Sequence, residues 1–137
     1  VRSTVRDERG QTAVEFALIA PLLIILLLAI IQFGIAFHNY VTITDAARAG
    51  ARQAIVARFG GSGNFNVATQ TVKDAASSLD QKQLAKPGAI QIISAGGMVA
   101  GSQVTVTVNY PYKIDIPLIG LTVSSGTLTA VAKEELE

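Results

Sequence analysis

The sequence predicts an α+β protein: a long amino-terminal helix whose first half can span a membrane, then a second helix and a small antiparallel sheet of three to four strands. Three observations carry this reading. Residues 16–37, FALIAPLLIILLLAIIQFGIAF, hold no charge over a helical length of about 33 Å, close to the hydrocarbon thickness of a bilayer. Residues 39–58 contain no proline, a single glycine (Gly50) and many alanines, so the helix is expected to run on past the apolar part. Beyond Lys86, Pro87 and Gly88 the apolar spacing changes from helical to alternating.

Residues 1–9 are polar and mixed in charge, and read as a short leader without structure of its own. Arg2, Arg6 and Arg9 precede the apolar run, whereas the next basic residues are Arg48 and Arg52. The positive-inside bias therefore puts the amino terminus in the cytoplasm and everything after residue 37 outside. A cleaved secretory signal is disfavoured, because its apolar region is usually only about 7 to 15 residues and no small-x-small site follows this one. Glu15 stands at the mouth of the span, where a carboxylate meets the positive end of the helix dipole and gains roughly 0.3 to 1 kcal/mol. Pro21 removes the backbone bond to the Ala17 carbonyl. It is read either as an ordinary transmembrane proline or as a soft point that lets the anchor bend.

Within residues 39–58, Ile43, Ala47, Gly50, Ala54 and Ala57 fall on one side, while Asp45, Arg48 and Arg52 share the other. The small residues Ala46, Gly50 and Ala54, four apart, allow another backbone to approach closely, from this domain or from a neighbouring subunit. Asp45 and Arg48 can pair at three residues' spacing; with Arg52 they form either a solvated face or a contact with a subunit or lipid headgroups. Gly60, Gly61, Ser62 and Gly63 read as a linker. Asn66 offers an N-cap, and Val67, Thr71, Val72, Ala75, Ala76 and Leu79 recur at helical spacing to about Ala85. The expected strands are residues 89–95, 103–110, 112–116 and 127–134. Pro111 is taken to end the second, residues 96–102 form a loose turn, and residues 117–121 an apolar loop.

Composition narrows the function. The chain has 137 residues, half of them hydrophobic, and a net charge of +1 from 11 basic and 10 acidic side chains. Outside the span there is chain for one small domain, and no basic surplus that would suggest nucleic acid. With no cysteine, neither a disulfide framework nor a thiolate site is available. No enzyme, cofactor or metal centre is expected. His38 sits alone at the membrane edge, Asp115, Glu134 and Glu135 lie in no motif, and Asp74 and Asp80, six apart on a helix, do not share a face.

Gly10, followed by Gln11, Thr12, Ala13, Val14, Glu15 and Phe16, resembles the start of type IV prepilins. The stretch GQTAVEFALIAPLL, then QFGIAF and TDAARAGARQA, is similar to the opening of TadE-like proteins, pseudopilins of tight-adherence (Flp-type) pilus systems. The matching positions include Gly10, Glu15, Phe16, Pro21, Gly34, Arg48, Gly50 and Arg52, and the resemblance covers about a third of the chain. It implies cleavage between Gly10 and Gln11 by a membrane-embedded prepilin peptidase, which leaves Glu15 as the fifth residue of the mature chain. It also implies a role for Glu15 and Phe16 in assembly and register. The implied organisation is a leader over residues 1–10, a long helix over 11–59 and an extracytoplasmic α+β domain over 60–137, in a pilin-like order. The implied partners are the peptidase, other pilins or pseudopilins, the pilus assembly platform and inner-membrane lipid. A minor rather than a major subunit is expected, since major Flp-type subunits are typically much shorter. The competing reading is a single-pass anchored binding or sensing domain that keeps its leader and never polymerises.

Overall fold

The computed structural model describes residues 4–59, 65–95, 101–116 and 120–135. The predicted linker at Gly60–Gly63, most of the 96–102 turn and residues 117–119 of the apolar loop lie outside them.

One helix, α1 (Thr4–Phe59), accounts for 56 residues and is about 84 Å long. It begins six residues before Gly10, so residues 4–10 are helical rather than an unstructured leader. Asp7, Glu8 and Arg9 supply no breaker, and one interior glycine costs only about 1 kcal/mol. The helix also runs unbroken through Pro21. Two short helices follow, α2 (Asn66–Ala75) and α3 (Gln81–Leu84). The single helix expected to about Ala85 is thus divided. Asp80 adopts an extended backbone and its carboxylate accepts from the Lys82 N–H at 2.9 Å, an N-cap that starts a new helix. The break lets Leu79 and Leu84, 6% and 2% exposed, both reach the core. Asn66 is the first residue of α2 rather than its cap; Phe65 holds the cap position without a side-chain cap bond.

The sheet is antiparallel, in the order β1 (Ile90–Ala95), β2 (Gln103–Ile116), β3 (Leu121–Glu135). It has three strands, because residues 103–110 and 112–116 are one strand continuing through Pro111. The hydrogen bonding explains how. The Asn109 N–H donates to the Ala89 carbonyl at 2.7 Å, so position 111, two residues on, faces the same side, beyond where β1 pairs. A missing N–H there removes no ladder bond. Likewise β3 starts at Leu121 rather than Thr127, pairing with β2 from Ile116↔Leu121 through Gln103↔Glu135, with a register shift at Ile114/Asp115.

Beyond β1, residues 110–116 and 121–128 therefore form a two-stranded ribbon. Gly126 lies opposite Tyr112, and a Cβ on it would come within 3.0 Å of the tyrosine ring. The ring thus covers the glycine's backbone.

The core lies between the outer half of α1, α2 and one sheet face. Ile43, Ala46, Ala47, Ala51 and Ala54 are fully buried against Ala68, Val72, Val106 and Val108. The predicted alternation of β2 holds, with Val104, Val106, Val108 and Tyr110 inward. Tyr110 Oη accepts from the Asp80 N–H at 3.2 Å, tying the α2–α3 turn to the sheet.

Candidate functional site

The amino-terminal segment carries the residues singled out from sequence. Gly10, Gln11, Val14 and Glu15 occupy one exposed stretch of α1. A Cβ at Gly10 would meet nothing within 4 Å. Gln11 and Glu15 are one turn apart on the same face, and the Gln11 Nε2 donates to Glu15 Oε1 at 3.0 Å. Phe16 is 67% exposed, and the apolar side chains beyond it, Leu18, Leu22, Leu26, Phe33 and Phe37 among them, also face outward. An 18-residue window within Gly10–Ala57 has a mean hydropathy of 2.9 and is not buried by the rest of the chain. Among the described residues, then, one helix is long and apolar enough to cross a membrane.

Farther along, the structure separates the residues expected to make subunit contacts. Gly50 is covered from within the chain. A Cβ there would lie closer than 3.0 Å to Val72 Cγ2, and near the Ala68 carbonyl and Val106. Ala46 and Ala54 are buried beside it, so the small-residue stripe receives α2 and the sheet. Asp45, Arg48 and Arg52 stay exposed on the opposite side. Asp45 and Arg48 pair at 3.7 Å with side chains more than half exposed, a weak bond that leaves Arg48 available to others.

The family model described as TadE-like protein matches residues 10–52. Residues 10–52 are thus similar to TadE-like proteins. The match opens on Gly10 and closes on Arg52, taking in the exposed Gln11–Glu15 turn, the apolar span and the Ala-Arg-x-Gly-Ala-Arg segment. The match associates this segment with the tight-adherence pilus system. No curated protein and no solved structure matches the chain. Residues 53–135, which hold α2, α3 and the whole sheet, lie beyond the TadE-like match.

One contact was not anticipated from the sequence. Gln32, in the middle of the apolar run, donates from Nε2 to the Asp115 carbonyl at 3.1 Å. The pairing joins residues 83 apart in the chain and brings the end of the β2–β3 ribbon onto the membrane-capable half of α1. A lone glutamine in an apolar helix is the only hint of it.

Proposed function

We propose that this chain is a minor pilin or pseudopilin, cut between Gly10 and Gln11 by a prepilin peptidase, that acts in assembly of a tight-adherence type IV pilus. The observation that carries the reading is the TadE-like match over a segment in which Gly10, Gln11 and Glu15 share one exposed helical turn ahead of an unburied apolar span. The amino terminus lies in the cytoplasm, the span crosses the inner membrane once, and the α+β domain stands outside. The role is structural rather than catalytic.

Cleavage would leave an ammonium on Gln11, a residue whose side chain already reaches the Glu15 carboxylate. In a stack of such helices, the amine of one subunit meets the carboxylate of its neighbour. A charge in an apolar filament core is tolerable only when paired, so a subunit out of register leaves two unpaired charges. The pair therefore sets register and offsets desolvation. With Gly50 and its alanine neighbours covered by the chain's own domain, Asp45, Arg48 and Arg52 form the outer face offered to other pilins or the assembly platform.

Intact-mass measurement of the protein from its native membrane tests this. A mature chain beginning at Gln11 is expected. A chain that retains residues upstream of Gly10 in cells with an active peptidase would overturn the proposal in favour of a non-polymerising anchored domain.

A further inference from the structure

The β2–β3 ribbon runs down the helix toward the membrane, and two independent rulers agree on how far. Val106 packs at the level of Gly50, and Asp115 is bonded to Gln32. The helix rises about 27 Å between Gln32 and Gly50, and the strand about 30 Å between Val106 and Asp115. β2 thus runs along α1 in the opposite direction, and the ribbon lies lengthwise on the helix. Its track is marked on the helix by Leu28, Gln32, Ala36 and Asn39, half-buried at spacings of four, four and three, while Phe33, Ile35 and Phe37 between them are exposed.

We infer that the end of this ribbon is a second membrane-contacting element, seated in the leaflet nearest the folded domain, with a lipid acyl chain filling the cleft between it and α1. The inference rests on the membrane-spanning reading of residues 16–37. Gln32 and Asp115 then lie about 7 to 8 Å below the level of Phe37, within the depth of about 5 to 10 Å at which interfacial elements bury their apolar faces. The cleft, about 470 Å³, has walls of Leu28, Ala29 and Phe33 on one side and Ile114 on the other, almost wholly apolar.

The polar groups fall where a bilayer accepts them. Lys113 is two strand residues, or about 7 Å, farther out than Asp115, at the height of the headgroup phosphates. Tyr112 and Tyr40, on separate elements, reach the same level, as interfacial tyrosines do. Gln32 is satisfied by the Asp115 carbonyl rather than left bare in hydrocarbon. Asp115 itself is exposed, and shallow enough for headgroup water to reach it.

The chain has no tryptophan, so single-tryptophan variants of the full protein can report depth. Ile114→Trp is placed on the ribbon, Ile24→Trp in mid-span and Val131→Trp on the outer part of β3. Each is reconstituted at low density in phosphatidylcholine–phosphatidylglycerol vesicles, with and without lipids brominated high on the acyl chain. Blue-shifted emission and strong bromolipid quenching are expected for Ile114→Trp, several-fold above Val131→Trp. Thr122→Trp, opposite Asp115 on the other strand, should behave as Ile114→Trp does, which guards against a local fault in either variant.

Quenching of both ribbon reporters no greater than that of Val131→Trp, while Ile24→Trp is quenched, would overturn the inference and leave the span intact. Loss of quenching at Ile24→Trp as well would overturn the span and the inference together. A ribbon signal that shifts only at high protein density, without bromolipid quenching, would assign the cleft to a second copy's helix and also overturn it.

Discussion

Among the described glycines, Gly50 is the one where an added Cβ would come nearest a neighbour, and replacing it with alanine sets two effects of opposite sign against each other. In a helix interior, Gly→Ala gains up to about 1 kcal/mol of propensity. Here the added Cβ would fall closer than 3.0 Å to Val72 Cγ2, where carbon atoms normally rest about 3.5 to 4.0 Å apart. Val72 is fully buried on α2, and a helical valine has one strongly preferred rotamer, so it cannot swing aside; α2 must shift instead. Overpacking of this kind costs about 1 to 3 kcal/mol, and a clash this deep against a stiff side chain belongs in the upper half of that range. The net expectation is a loss of about 1 to 2 kcal/mol, or roughly 5 to 15 °C in the melting temperature of a domain this size. The assay is thermal unfolding of the full chain in mild detergent, followed by the near-ultraviolet circular dichroism of its tyrosines, with Tyr110 in the core as reporter. Val72→Ala should be destabilising alone but should partly rescue Gly50→Ala, with a coupling of about 1 kcal/mol or more. Gly50→Ala as stable as the parent, or strictly additive with Val72→Ala, would refute the claim that this glycine exists to seat α2.

Four other perturbations test the remaining assignments. Glu15→Ala should still be cut and inserted but should be depleted from pili or pseudopili, measured by immunoblot of sheared filaments against membranes; normal incorporation would remove the register role. Arg48→Ala, which loses only an exposed pair, should change stability by less than about 0.5 kcal/mol, so any large fall in assembly read by the same blot would be a contact defect. Asp80→Ala removes the cap of α3, and denaturant unfolding should report a loss of about 1 kcal/mol. Pro111→Val should leave unfolding within about 0.5 kcal/mol of the parent, since position 111 faces β1's side of the strand but lies beyond where β1 pairs; a markedly larger change would contradict the continuous strand.

The legible parts of this fold were those written in local periodicity. The uncharged run of residues 16–37 and the proline-free, alanine-rich stretch of 39–58 announced the long helix, the alanine face of residues 43–54 announced its buried side, and the Val104–Tyr110 alternation announced the inward face of β2. What escaped depends on partners. Pro111 reads as a terminator until the strand beside it is known to stop at Ala89. The sequence LTVSSG at 121–126 has a glycine and no clean alternation, and becomes strand only because β2 lies next to it and the Tyr112 ring covers Gly126. The helical apolar spacing from Val67 to Leu79 suggests one helix to about Ala85, whereas Asp80 caps a new one.

At the candidate site, Gln11 and Glu15, singled out through the family resemblance, lie one helical turn apart and are bonded to each other, whereas the Gln32–Asp115 tie pairs positions too distant for any local pattern to suggest. The burial of Gly50 by its own domain also decided between two uses of the small-residue stripe that the sequence left open.

Because α1 has no joint between the acid near its start and the alanines that carry the sheet, heading and height are transmitted along it as in a keyed shaft. Glu15 and Arg48 are held about 50 Å apart on one rod. A neighbour that captures the carboxylate at the base has thereby fixed which way, and how high, the charged shoulder above will point. A docking event below would thus dictate the pattern of the outer surface, with no second recognition step needed to align it.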